Sequence, residues 1–155
     1  MEDQVAKDHH YMQLALAEAE SAYALAEVPI GALIVSQDQI IARTHNLVQH
    51  QQDATAHAEM RAFQAACAQK KAKYLTDCTL YVTLEPCPMC AMASHWLQLA
   101  RIVFAAHDPK KGYQLVPYPL LHPRTQVTSG ILAHKSEACL QQFFQALRTT
   151  KKPLA

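Results

Sequence analysis

Two short motifs contain the residue types that bind transition metals and move protons. The first is His57-x-Glu59 and the second is Pro86-Cys87-x-x-Cys90. One imidazole and two thiolates form a donor set that zinc binds in tetrahedral geometry, and a catalytic zinc site keeps its fourth position open for water. We therefore expect His57, Cys87 and Cys90 to hold a catalytic zinc ion, with Glu59 beside it as a group that exchanges protons with the attacking water.

The spacing of these motifs requires two helices that begin at the same place. If one helix starts around Pro88, Cys87 and Cys90 lie three positions apart and present their sulfurs on one face. The amino terminus of a helix also favours thiolates, because its dipole and its free amide groups stabilise negative charge. A second helix that starts near His57 has to point at the same site from another part of the chain.

The other cysteines allow two further interpretations. A structural zinc site takes four protein ligands, and Cys67, Cys78 and Cys139 are candidates for the fourth. Their sequence neighbours are apolar, so we expect these three cysteines in the core. Thioredoxin-like redox chemistry of the C-x-x-C motif is the second alternative, but it leaves the H-x-E motif unexplained.

The pattern of apolar residues predicts an α/β architecture. Helices are predicted over residues 8–27, 54–71, 89–99 and 136–148, and strands over residues 30–35, 40–44, 79–84, 101–105 and 125–128. The first two strands suit a hairpin, although the turn between them lacks glycine. Residues 107–124 contain four prolines and are predicted to be a loop. This order of elements predicts a sandwich with a mixed sheet and helices on both faces.

Length and composition restrict the class of protein further. The chain has 155 residues, half of them hydrophobic, and a formal net charge of +1. We expect one domain, residues 1–155, and the composition excludes a disordered body. The charge is not that of a non-specific nucleic-acid binder. Because no apolar run is long enough for a membrane helix and the first residues lack the order of a signal peptide, we expect a cytoplasmic protein without a membrane partner.

With both motifs present, the chain resembles the zinc-dependent nucleobase and nucleoside deaminases, whose signature is H-x-E followed by P-C-x-x-C. Within this superfamily it is similar to the bacterial tRNA adenosine deaminases over nearly its whole length. The resemblance lies in residues 28–32, 53–60, 79–87, 130–132 and 143–144. It implies a three-layer α/β/α fold with a five-stranded sheet, a homodimer, one catalytic zinc ion on the three donors named above, and conversion of adenosine to inosine in a tRNA anticodon loop.

The resemblance also implies roles for residues around the metal. Glu59 is the proton shuttle, which takes a proton from the attacking water and passes protons to the ring nitrogen and the leaving amine. Asn46 hydrogen-bonds the substrate nucleoside. Pro29 and the backbone amide of Ala58 form the edges of the base pocket, and Asp108 lies beside the bound anticodon.

Some residues depart from the pattern of the tRNA enzymes. Trp96 and Gln98 replace a histidine and an arginine, and guanine deaminases of the superfamily often have tryptophan at the first position. The guanine deaminases also share the Glu-Pro-Cys-Pro-Met-Cys form that this chain has at residues 85–90. Deamination of a free purine or pyrimidine base is therefore the alternative function. Against it, Val28-Pro29-Ile30-Gly31 has the form found in the tRNA enzymes.

Charge and aromatic residues point to different substrates: the near-neutral total charge favours a small molecule, whereas the aromatic residues of the last predicted helix favour tRNA, and the cations are either a basic patch or ordinary solvated side chains. Five cations could form a local basic patch, and phosphate contacts dominate affinity for nucleic acids; they are Lys110, Lys111, Arg148, Lys151 and Lys152. The last predicted helix also contains Phe143 and Phe144. A third possibility is a non-catalytic subunit with the deaminase fold, but an intact Glu59 argues against it, because such a subunit does not need a proton shuttle.

Overall fold

The computed structural model describes residues 2–150, which form a single sheet covered by helices. The helices are α1 (Glu2–Ala24), α2 (Val48–Gln51), α3 (Ala58–Lys70), α4 (Pro88–Leu97) and α5 (Ala133–Thr150), with a short 3₁₀ turn at Tyr113–Leu115. The strands are β1 (Gly31–Ser36), β2 (Gln39–His45), β3 (Cys78–Leu84), β4 (Arg101–Ala106) and β5 (Gln126–Ser129).

The sheet is mixed, with the strand order β2-β1-β3-β4-β5. Strand β1 runs antiparallel to both β2 and β3, whereas β3, β4 and β5 are parallel to one another. A parallel pair needs a crossover connection, and α4 connects β3 to β4 in this way. The carboxyl ends of β3 and β4 therefore lie side by side at one edge of the sheet.

Side chains of the central strands alternate between two apolar cores. In β1, Ala32 and Ile34 join the core under α3 and α4, whereas Leu33 and Val35 join the core under α1. The same alternation continues in β3 and β4, as the pleat of a strand requires. Helix α5 contacts β4, β3 and α1, so it lies on the α1 side. The predicted three-layer α/β/α sandwich around a five-stranded mixed sheet is confirmed.

The hairpin between β1 and β2 forms without glycine. Gln37 and Asp38 both have positive φ angles, 50° and 61°, as a type I′ turn requires. Asp38 is fixed from α1, because the Tyr11 hydroxyl donates to its carbonyl oxygen and Lys7 pairs with its carboxylate. Contacts with α1 therefore stabilise a turn that glycine usually makes.

Several element boundaries differ from the predicted ones. Helix α1 covers residues 2–24 instead of 8–27, and the short helix α2 was not predicted. Helix α3 begins at Ala58 instead of residue 54, because the Asp53 carboxylate accepts hydrogen bonds from the amide and the hydroxyl of Thr55 and stabilises a turn there. None of the helices within residues 2–150 is long and apolar enough to cross a membrane.

Candidate active site

The predicted metal donors come together where two helices begin. His57 is the N-cap residue of α3, Cys87 is the N-cap residue of α4, and Cys90 lies in the first turn of α4. The Nδ1 atom of His57 is 3.6 Å from the Sγ atom of each cysteine. The donor atoms of all three residues lie within 4.8 Å of one another, which is close enough to hold one metal ion.

The chemistry of this cluster fits zinc in a catalytic site. One imidazole and two sulfurs match the donor types of zinc, and three protein donors leave a coordination position for water. Within residues 2–150 no further His, Cys, Asp or Glu joins the cluster. Cys67, Cys78 and Cys139 lie outside it; Cys78 is fully buried as predicted, whereas the other two are half-buried.

Hydrogen bonds among the three donors shift their pKa values, and a metal ion can replace the protons that they share. The Cys90 thiol donates a hydrogen bond to the Cys87 sulfur, which lowers the pKa of Cys87 to about 4. The same bond, together with burial, raises the pKa of Cys90, and the hydrogen bond with Cys87 raises the pKa of His57. A metal ion that binds here replaces the shared protons, so binding releases protons and becomes tighter as the pH rises.

Glu59 is the second residue of α3 and is 4% exposed. Burial, together with the negative charge of the nearby Cys87 sulfur, raises the pKa of Glu59 to about 7. A carboxyl group with a pKa near neutrality can both accept and donate a proton at physiological pH, as a general acid–base group must. The hydroxyl of Thr44 donates to the carbonyl oxygen of Ala58 at 2.7 Å and so attaches this first turn of α3 to β2.

A cleft of about 1450 Å³ opens from this cluster. Its lining includes His57, Glu59 and Cys87, together with residues from the carboxyl ends of β3 and β4. Ligands of open α/β sheets bind beyond the carboxyl ends of the parallel strands. The cleft is therefore the place where a substrate can reach the metal donors.

Three of the four predicted substrate-binding residues line the cleft. Asn46, Ala58 and Asp108 belong to its wall. Pro29 is buried and does not line the cleft, although its neighbours Val28 and Ile30 do. A role for Pro29 at the pocket edge stays a prediction, and the apolar lining at this point comes from the residues on either side of it.

Residues that bear on substrate choice divide into those that line the cleft and those that do not. Lys110, Lys111 and Arg148 of the predicted basic patch line the cleft, and so do Phe143 and Phe144 of α5. Lys151 and Lys152 lie outside the described residues. Trp96 is 73% exposed and does not line the cleft. Residues 113–121 do not line it either, and Tyr113 and Leu120 pack into the core instead.

Two buried carboxylates that the sequence did not indicate each hold a segment of the cleft wall. Glu27 accepts hydrogen bonds from the backbone amides of Gln49 and His50 and from the His50 ring. Burial alone would raise the pKa of Glu27, but these hydrogen bonds lower it below its usual value. Glu85 accepts from backbone amides after β4 in the same manner. In the sequence Glu85 follows the apolar run of β3 and precedes Pro86, but this pattern does not indicate which backbone amides a carboxylate will bind.

Comparison with known proteins identifies the class. Residues 5–106 match the family model described as the cytidine and deoxycytidylate deaminase zinc-binding region. The chain therefore belongs to the family of zinc-binding cytidine and deoxycytidylate deaminases. It is a hydrolytic deaminase with zinc as its cofactor, in agreement with the grouping of His57, Cys87 and Cys90.

The relatives are tRNA-specific enzymes. The tRNA-specific adenosine deaminase of Bacillus subtilis (strain 168) is 42% identical over 151 residues, which cover 94% of each chain. The enzyme of the same name from Aquifex aeolicus (strain VF5) is 40% identical over 144 residues, covering 90% of this chain and 95% of the relative. The resemblance inferred from the sequence is confirmed.

Solved structures agree with the fold. A structure from a study of A-to-I editing by tRNA:A34 deaminases at the wobble position of transfer RNA matches with a TM-score of 0.78 and 39% identity, over 84% of this chain and 99% of that chain. Guanine deaminase from Nitrosomonas europaea matches with a TM-score of 0.73 and 24% identity, over 85% of this chain and 81% of that chain. At that lower identity the likeness concerns the fold alone.

Proposed function

We propose that this chain converts adenosine to inosine at the wobble position of a tRNA anticodon loop. The observation that carries the proposal is the composition of the cleft. From the metal donors it leads outward to three cations, Lys110, Lys111 and Arg148, and to the half-exposed ring of Phe144. An enzyme that acts on an extruded base needs a pocket for that base, cations for the phosphates beside it and flat side chains for neighbouring bases.

The size of the cleft and the relatives support the same substrate. A volume of about 1450 Å³ exceeds the roughly 300–1,000 Å³ of a small-molecule site, and leaves room for nucleotides on either side of the reacting base. The relatives from Bacillus subtilis and Aquifex aeolicus are named tRNA-specific adenosine deaminases. A tRNA substrate implies that the enzyme works in the cytoplasm.

We assign the chemical roles to the residues at the cleft floor. His57, Cys87 and Cys90 hold the zinc ion, which supplies activation of water near neutral pH when it is bound. Glu59 accepts the proton of the attacking water and delivers protons to the ring nitrogen and to the departing amine, so that ammonia leaves and a carbonyl group replaces the amino group. The reaction is a hydrolysis and needs no further reactant.

The residues above the floor orient the base. The Ala58 amide is the first of α3, where backbone N–H groups have no acceptor within the helix, and it is free to donate to the substrate. Asn46 offers an amide side chain from the wall of the cleft, and its own backbone amide is bound to the Ile30 carbonyl oxygen at 3.1 Å. The side chain thus projects from a fixed backbone.

We also propose that the active form is a homodimer. Trp96, Leu115 and Tyr118 are apolar residues that are 73%, 58% and 63% exposed. Helix α4 and the segment that follows β4 are connected, because the His95 ring donates to the Leu120 carbonyl oxygen. Light scattering of the protein as it elutes from a gel-filtration column should give the mass of two chains for the wild type and a mass close to one chain for Trp96→Ser. Equal masses for the two proteins would contradict an interface at Trp96.

Product analysis tests the substrate directly. Zinc-loaded protein is incubated with an anticodon stem-loop that carries adenosine at the wobble position, and separately with free guanine, adenine and cytosine. Mass spectrometry should detect inosine in the stem-loop and no change in the free bases. A matched stem-loop with its adenosine moved by one position should stay unmodified. Turnover of a free base with an untouched stem-loop would overturn the proposal in favour of base salvage.

A further inference from the structure

The carboxylate of Glu85 holds the part of the cleft wall that follows β4. Glu85 comes directly after β3 and is 4% exposed. Its Oε1 atom accepts the Asp108 amide at 3.0 Å and lies 3.3 Å from the Nδ1 atom of His107. Its Oε2 atom accepts the Gln114 amide at 3.0 Å. One side chain therefore binds both ends of the segment 107–114, which we call the rim loop.

The rim loop contains the residues that face the substrate on this side. Asp108, Lys110 and Lys111 all line the cleft. The Oδ1 atom of Asp108 accepts the amides of both lysines at 3.0 Å, so the two lysine backbones are fixed relative to Asp108. Because the Asp108 amide is in turn held by Glu85, the position of both lysines depends on the Glu85 carboxylate.

Space for this carboxylate depends on Gly112. A Cβ atom added at Gly112 would overlap the Glu85 carboxylate, so a larger residue at this point of the rim loop has to displace that carboxylate from its hydrogen bonds. The loop is tied a second time beside it, because the Tyr113 amide donates to the Pro86 carbonyl oxygen at 2.9 Å. The contact can thus be disturbed from either side, at Glu85 or at Gly112.

We propose that Glu85 is a positioning residue that sets the affinity for the RNA substrate by fixing the rim loop and its two lysines. This inference rests on the proposed function. Glu85 also lines the cleft, but it is 4% exposed and its two oxygens are engaged by two backbone amides and lie beside the His107 ring, so the carboxylate acts on the substrate through the loop. Loss of either oxygen as an acceptor leaves an amide of the loop without its partner and releases one end.

Two variants test this role from opposite sides of the contact. Glu85→Gln replaces one acceptor oxygen with a donor, and Gly112→Ala introduces the overlapping Cβ. Each should raise the KM for the wobble-adenosine stem-loop about 10-fold while kcat stays within about twofold, because the rim loop acts in binding and not on the reacting atoms. The zinc content of each variant is measured first and should equal that of the wild type.

Salt dependence separates positioning from general damage. The logarithm of RNA affinity falls with the logarithm of salt concentration by about 0.7 for each phosphate contact to a single strand. Loss of the two lysine contacts should therefore reduce this slope by about 1.4 in both variants. The control is Asp8→Asn, which removes another buried carboxylate on the opposite face of the sheet and should lower stability without changing KM or the slope.

Unchanged KM and salt slope in Glu85→Gln and Gly112→Ala would overturn the inference. Amide hydrogen exchange at Asp108 and Gln114 provides a readout that is independent of the substrate, and it should accelerate in both variants. If the wild-type enzyme leaves the stem-loop unmodified, the proposed function fails. In that case the role of Glu85 in fixing the rim loop is tested by the amide exchange rates of Asp108 and Gln114 and by the KM for the free base that is deaminated. A wild-type exchange rate in both variants contradicts that role.

Discussion

The polar clusters around Asp8 and around Glu59 lie on opposite faces of the sheet, and they have opposite effects on the pKa of a buried carboxyl group. On the α1 side, Asp8 is 2% exposed and its two oxygens accept hydrogen bonds from both terminal nitrogens of Arg101, at 2.7 and 2.6 Å. The Tyr81 hydroxyl donates to it as well. On the α3 side, Glu59 is equally buried, but no lysine or arginine within residues 2–150 forms an ion pair with it.

The pKa values follow from this difference in partners. Burial alone would raise the pKa of Asp8, but the hydrogen bonds from Arg101 and Tyr81 lower it below its usual value. Burial and the negative charge of nearby Cys87 raise the pKa of Glu59 to about 7, because no lysine or arginine pairs with this carboxylate to offset the lost water. Asp8 therefore keeps a fixed charge that connects α1 to the sheet, whereas Glu59 can change its protonation state during a reaction.

The largest expected effect concerns the metal donors. Cys90→Ala should remove zinc and reduce deamination to the detection limit, since two donors hold zinc far more weakly than three. Metal analysis after gel filtration and a product assay measure the two quantities.

Cys139→Ala is the matched control for this variant. Cys139 lies outside both the metal cluster and the cleft, so its replacement should leave zinc content and activity unchanged. Full zinc occupancy in Cys90→Ala would show that Cys90 is not a ligand.

A smaller effect, on stability alone, is expected in the other cluster. Asp8→Asn should lower the free energy of unfolding by about 3 kcal/mol, because it leaves the largely buried Arg101 without a charged partner. Activity per folded molecule should not change. Urea unfolding and a product assay on the same samples check both points. A loss of turnover in fully folded Asp8→Asn would show that the Asp8 cluster affects catalysis and not stability alone.

The smallest expected effect is a change with pH in the difference between the unfolding free energies of the wild type and Asp8→Asn. The folded-state pKa of Asp8 is lowered, so its contribution is complete above the unfolded value of about 3.9 and is lost as the pH falls through the folded value. The gap between wild type and Asp8→Asn should therefore be largest near pH 7 and narrow below about pH 4. Urea unfolding at several pH values, with zinc removed from both proteins, measures it. A gap that widens in acid would contradict the paired state of Asp8.

The sequence predicted the cleft floor because side-chain types carry its chemistry. Histidine, cysteine and glutamate near helix starts leave a readable pattern, and Pro88 at the start of α4 indicates Cys87 as its N-cap residue. The start of α3 was predicted four residues too early, so the N-cap position of His57 came from the structure. The sheet was predictable for a similar reason, since the central strands consist of apolar and β-branched runs. The strand boundaries differ from the predicted ones by one residue at most, whereas helix boundaries differ by up to six residues and α2 was missed. Polar turns and the polar first turns of α1 carry no apolar period that could mark these positions.

The cleft walls could not be predicted in the same way. Glu27 and Glu85 bind backbone amides far away in the chain, and a backbone amide has no residue type that a pattern could reveal. Helix α2 is only four residues long, which is too short for a helical period. The orientation of Trp96 also depended on tertiary structure: it points to solvent and not into the cleft, which removes the main sequence argument for a free-base substrate.

We propose that the buried carboxyl group of Glu59 moves the protons of the reaction. Glu59→Gln keeps the size of the side chain and removes its ability to exchange a proton. Its turnover of the wobble-adenosine stem-loop, measured by mass spectrometry with zinc content determined on the same sample, should fall by about 10²–10⁴-fold at full zinc occupancy. Near-normal turnover in the zinc-loaded variant would contradict the account.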